Sequence, residues 1–373
     1  MLTALPLAAQ GGSDFLSLGI GWSARLASPL LAAPAADSLR VYLPLRAGRV
    51  LALSLADGQE LWSALLPLTR GVSVDAGRVF TATADEVLAL DATTGRVIWR
   101  VFARDVVAIP SARAGWVVAA AGPDVLALRA SDGRVVWRRT LPAAPRAPFS
   151  IDGDRAYAPL VDGSIVALDI RDGTIAWRVT LPAACGPITA VADRLFAGCV
   201  DNFLYSLDAR DGDRRWRWRT NADVMSPAVQ DGSRVYFASL DNIVRALDLG
   251  SGVQRWRHPM ETRPLRGPVL DQDLLVVSAS NELRAVRPRD GTLAGRFTAP
   301  AELAAPAVFA PADSGARAVI VTGATTGDWR VYGLMRLPEP APVPLTEIPG
   351  RPLSPDAPPF PPGSPLPGAS RLP

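Results

Sequence analysis

Side chains able to do chemistry are few in this chain of 373 residues, and their spacing argues against a convergent reactive site. There is one histidine, His258, and its alternating polar surroundings read as a solvated position on an outer strand. That leaves neither a Ser-His-Asp arrangement nor a multi-histidine metal site. Two cysteines, Cys185 and Cys199, are too few for a disulfide framework and lack metal-ligand spacing. Asp91, Asp169, Asp208 and Asp248 each stand four residues before a glycine. A carboxylate in that position accepts hydrogen bonds from turn amides. Carboxylates at equivalent places in repeated units are spread apart and cannot converge on one substrate. Arg70 and Arg266 occupy equivalent columns, with Arg146 one residue earlier in its own. These three read either as a ring that attracts a small anion to a channel mouth or as separate solvated charges.

The elements that position these residues follow from one repeated pattern. Two apolar positions, often an Asp, and a turn ending in Gly are followed four residues later by Trp. The pairs are Gly58/Trp62, Gly95/Trp99, Gly133/Trp137, Gly173/Trp177, Gly212/Trp216 and Gly252/Trp256. A seventh copy keeps Gly291 but has Gly295 where Trp is expected, and the anchors from 62 to 295 recur every 37 to 40 residues. That period belongs to four-stranded propeller blades. In one unit, strand A is typified by Pro227–Val229, B by Arg234–Ser239, C by Ile243–Leu247 and D by Gln254–Arg257. The glycine before strand D supplies the positive φ of a tight hairpin. A large ring on strand D fills the wedge between neighbouring blades.

The ends of the pattern complement each other. Trp22 lies in a segment resembling a strand D with no A, B or C before it. Residues 316–322 and 329–335 read as strands, but no strand D follows them. The expectation is an all-β, eight-bladed β-propeller of four-stranded antiparallel blades over 17–336, its ring closed by an N-terminal strand. Arg100, Arg138, Arg178, Arg217 and Arg257 directly follow the tryptophans, where charge on an exposed edge strand discourages pairing between molecules. Residues 1–16 are expected to be poorly ordered. Fourteen of the residues in 337–373 are proline, which favours extended polyproline conformations in a disordered tail. Cys185 opens strand A of the fifth unit and Cys199 ends its strand B, so they form either a cross-strand disulfide or two buried thiols.

Composition excludes some partners. All 39 basic residues are arginine, set against 36 acidic ones. A net charge of +3 over so large a surface is no signature of nucleic-acid binding. No stretch of eighteen apolar residues is present to span a membrane.

The string Ala89-Leu-Asp-Ala-Thr-Thr-Gly-Arg-Val-Ile-Trp99, with echoes at Ala167–Trp177 and Ser206–Trp216, resembles the tryptophan-docking repeat of the PQQ-like propeller family. The family includes BamB, a protein-binding lipoprotein of outer-membrane assembly, and the quinoprotein alcohol dehydrogenases, which hold PQQ and Ca²⁺. The resemblance implies a scaffold for a protein or peptide partner, non-catalytic and without cofactor, acting as a monomer within a larger complex. It further implies a periplasmic or cell-envelope location, with the cytoplasm as the alternative. The dehydrogenase alternative requires PQQ, Ca²⁺ and, in many members, adjacent cysteines, which this sequence lacks. A small-anion sensor using Arg70, Arg146 and Arg266 is a third reading.

Overall fold

The computed structural model describes residues 18–271, 274–310, 318–323 and 327–336. The segments expected to be poorly ordered, 1–16 and 337–373, lie outside the described residues. Among the described residues there are 32 strands and no helix, and the strands pair into eight four-stranded antiparallel sheets. Blades 1 to 7 occupy residues 35–65, 73–102, 111–140, 150–180, 185–219, 229–259 and 269–298. Blade 8 takes its first three strands from Val308–Phe309, Ala318–Thr322 and Arg330–Arg336, and its outer strand from Leu18–Arg25. The first and last described strands thus share one sheet, paired from Leu18↔Arg336 to Arg25↔Arg330 with a bulge between Ile20 and Trp22.

Within blades 1 to 7 the strands follow in chain order from A at the centre to D outside, and in blade 8 strands A to C do so while strand D is the first strand of the chain. In blade 6, strand B matches the sequence reading, while strand A begins only at Val229 and strand D runs on to Pro259. Pro227 has no amide hydrogen to give to a ladder, so the pairing starts beyond it. One rim of the ring carries the A–B and C–D turns. The opposite rim carries the B–C turns and the segments that cross from each strand D to the next strand A.

The core lies between blades. In blades 1 to 7 a bulge interrupts the pairing of C with D beside the anchor position, as at Ala167/Leu168 opposite Trp177. The residue facing each anchor is small: Ala52, Ala89, Ala127, Ala167, Ser206 or Ala246. The bulge re-aims the side chain and the small partner leaves room for a ring. Each indole then reaches into the next blade. The Nε1 atoms of Trp22, Trp62, Trp99, Trp137, Trp177, Trp216 and Trp256 donate to the carbonyls of Leu55, Ala92, Ala130, Ile170, Ala209, Leu249 and Pro288 at 2.7–3.1 Å. Each ring lies on the glycine of that C–D turn, respectively Gly58, Gly95, Gly133, Gly173, Gly212, Gly252 and Gly291, all with φ between +70° and +81°. At Gly173 an added Cβ would come within 2.6 Å of the Trp137 ring.

The aspartates before these turns hold them shut. The Asp91 carboxylate accepts from the Thr93 and Thr94 amides at 2.9 and 2.8 Å. Asp169, Asp208 and Asp248 accept from Arg171, Arg210 and Ser251 in the same way.

Candidate functional site

The crossing rim is the part of the ring where exposed side chains rest on rigidly paired backbone. In blade 3 the Val107 amide donates to Ala120 O at 2.9 Å, and Gly122 donates back to Asp105 O at 2.9 Å. In blade 4 the same exchange joins Arg146 to Pro159 O at 2.8 Å and Val161 to Ala144 O at 3.0 Å. In blade 5 the Val200 amide donates to Ala184 O at 3.1 Å. Every crossing is thereby stitched to the end of strand B, so the side chains it carries have fixed positions.

Three adjacent blades present exposed valines on this rim, together with an exposed arginine. Val107, Val161 and Val200 are 38%, 56% and 39% exposed, and Arg146, which enters blade 4, is exposed and has no carboxylate partner among the described residues. Valines in water lose little entropy when covered, because their side chains have few rotamers to give up. An arginine in such a setting supplies a forked donor for a partner's carboxylate or backbone carbonyl.

The floor of this patch is braced. Cys185 and Cys199 face each other across strands A and B of blade 5, with Cα atoms 3.9 Å apart and their sulfurs bonded. The bridge ends one residue before Val200. Next to it Asp162 pairs with Arg178 at 2.6 Å and accepts from the Ser164 hydroxyl at 2.6 Å. The Ser164 hydrogen bond, together with its amide and Arg178, holds the Asp162 carboxyl below the usual carboxylate range. Tyr205 donates to Asp201 at 2.6 Å, and burial together with that bond pushes its hydroxyl up to about 12.

The other arginines singled out on this rim are placed apart. Arg70 enters blade 2 and donates to the adjacent Thr69 carbonyl at 2.8 Å, while Arg266 enters blade 7 beside the 42% exposed Leu265. With Arg146 entering blade 4, no two of the three sit on adjacent blades, and no contact among the described residues joins them.

His258 requires a correction. It lies on the outer strand of blade 6, yet it is half-buried, with its ring turned inward against blade 7. Its Nδ1 stands 3.0 Å from Gly291 O, and its Nε2 is buried with no hydrogen-bond partner. Burial, and secondarily the Arg284 charge, depress its pKa below the usual imidazole value. The alternation of strand D did contain this signal, since residue 258 shares a face with Trp256. The bulges beside the anchors had a fainter sign, the small residue two before each turn aspartate.

The family model described as "Outer membrane protein assembly factor BamB" matches residues 46–186 and 161–302, together more than half of the chain. The chain belongs to the BamB family. Comparison with curated proteins returns no match. Among solved structures, BamB from Moraxella catarrhalis superposes with a TM-score of 0.68 at 19% identity, covering 85% of this chain and 99% of that one. The quinohemoprotein alcohol dehydrogenase ADHIIG from Pseudomonas putida gives 0.71 at 16% identity, covering 89% and 78%. A computationally designed protein, Ika8, gives 0.69 at 14% identity, covering 86% and 100%. Identities this low show a shared fold and nothing further.

The dehydrogenase likeness raises the question of PQQ and Ca²⁺. Calcium is held by several oxygen ligands, carboxylates prominent among them. Among the described residues no three Asp, Glu, His or Cys side chains are grouped to hold a metal ion, and both cysteines are consumed in the blade 5 bridge.

Proposed function

We propose that this BamB-family ring is a non-catalytic scaffold that binds a protein partner on its crossing rim, in outer-membrane protein assembly within the cell envelope. The observation that carries the reading is the Val107, Arg146, Val161 and Val200 patch. It consists of exposed apolar side chains and an exposed arginine on three adjacent blades whose backbone is already hydrogen-bonded. A protein interface is built in this way, from apolar contacts around an arginine anchor on a surface that needs no rearrangement. The family description supplies the context of assembly, and a bridge between Cys185 and Cys199 suits an oxidising compartment.

The test is site-specific photo-crosslinking in the native envelope. A photo-reactive residue at position 161 is expected to capture a component of the outer-membrane assembly machinery. The same residue at position 132, on the opposite rim, should not. Equal capture from both positions, or none from 161, would refute the reading. Quinone absorbance retained through gel filtration after adding PQQ and Ca²⁺ would instead favour an oxidoreductase.

A further inference from the structure

The outer strands carry a second pattern, one that edge protection alone does not explain. The position after each anchor is Arg in six consecutive blades: Arg100, Arg138, Arg178, Arg217, Arg257 and Arg296. In blades 1 and 8 it is Ser63 and Ser23. All six arginines are exposed and point away from the indole side of their strand.

Equivalent carboxylates treat these arginines differently. In blade 2, Glu86 opens strand C and pairs with Arg100 at 3.4 Å. In blade 7 the equivalent Glu282 pairs at 2.7 Å with the buried Arg284 on its own strand, and Arg296 directly opposite is left out. In blade 4, Asp162 pairs with Arg178. The equivalent Asp241 of blade 6 binds the buried Arg245 through both oxygens, at 3.0 and 2.6 Å, and Arg257 directly opposite is left out. In blade 5 the equivalent Asp201 accepts from Tyr205, and Arg217 lies over the Phe203 ring at 4.6 Å. Among the described residues no carboxylate pairs with Arg217, Arg257 or Arg296. Like charges placed opposite each other on adjacent strands are destabilising, yet blades 6 and 7 both retain such a pair.

We propose that the outer wall of blades 5, 6 and 7 binds an extended acidic segment of a polypeptide, whose carboxylates pair with Arg217, Arg257 and Arg296. Carboxylate is the counter-charge this column already uses in blades 2 and 4, and the guanidinium fork fits it in two-pronged fashion. The three cations follow the curve of the ring from blade to blade. A flexible chain can follow a convex wall, whereas a planar lipid surface touches it along a single blade. The proposal rests on the scaffold reading and adds a second contact surface to it.

The experiment uses the full chain and a fluorescein-labelled oligo-glutamate, followed by anisotropy at low and physiological salt. Binding is expected, weakening steeply as salt rises. Combined R217E, R257E and R296E substitutions should weaken it by about tenfold or more at an unchanged thermal midpoint. Combined Arg→Lys substitutions at the same positions should fall between, since charge remains but the fork is lost. Equal binding by the Glu and parent proteins would overturn the proposal. So would preferential binding of an oligonucleotide or of phosphatidylglycerol vesicles that oligo-glutamate does not displace. Crosslinking from position 161 in the triple Glu variant separates the two claims. If it persists while oligo-glutamate fails to bind the parent protein, only the outer-wall proposal falls.

Discussion

At the scale of single residues, the fold depends on an indole resting on a glycine of the next blade. Two glycines separate packing from backbone strain. Gly173 and Gly77 both have φ of +73°, but a Cβ on Gly173 meets Trp137 whereas one on Gly77 meets nothing within 4 Å. Gly77→Ala should therefore cost about 1 kcal/mol, the strain of positive φ alone. Gly173→Ala should cost clearly more, and equal losses in urea unfolding would remove the docking contact from the account. His258 gives a pH prediction. Its folded pKa lies below the ordinary 6.5, so the unfolded chain takes up the proton first and stability falls as pH drops below that value. His258→Phe should flatten that part of the stability profile measured by thermal unfolding between pH 7 and 5. The repeating anchors were legible because the motif recurs at nearly constant spacing. For His258 the shared face with Trp256 was legible, but the group it meets there, the Gly291 carbonyl, was not, since that depends on which neighbour covers strand D.

Among elements, the blade 5 hairpin differs from the others in being cross-linked. The bridge closes a loop with a sequence separation of 14, a constraint on the unfolded chain worth about 3 kcal/mol in the loop-entropy model. Paired Cys185→Ala and Cys199→Ala substitutions should lower the unfolding free energy obtained from denaturant titration by that order. They should also reduce crosslinking from position 161, because the bridge braces the neighbouring crossing. Unchanged capture would show that the patch is held by its backbone hydrogen bonds alone. The two-residue turn at Ala192-Asp193 brings the cysteines within one residue of being opposite, which was legible in the sequence; the bulge between Cys185 and Ile188 that completes the pairing was not. Nor was the sharing of carboxylates between inner and outer arginines, since Glu86 and Glu282 occupy the same sequence position and differ only in the strand C residue beside them, Leu88 or Arg284.

For the whole molecule, the missing eighth tryptophan is explained by ring closure. Each anchor needs the C–D turn of the following blade, and blade 8 has no such turn because its strands C and D come from opposite ends of the chain. Gly295 therefore stands before a seam that offers no turn glycine to cover. Gly295→Trp should accordingly yield none of the ~3–5 kcal/mol that an established anchor contributes, and a clear rise in thermal midpoint would contradict this account. Removing residues 1–26 should strip hydrogen-exchange protection first from Ala318–Thr322 and Arg330–Arg336. Closure was readable because the unmatched strands at the two ends complete one another. Leu18 and Arg336 pair at the turn-bearing rim, so the described fold begins and finishes at one point. An attachment made at Leu18 or at Arg336 itself would therefore sit on the rim opposite the one that carries Val107, Arg146, Val161 and Val200.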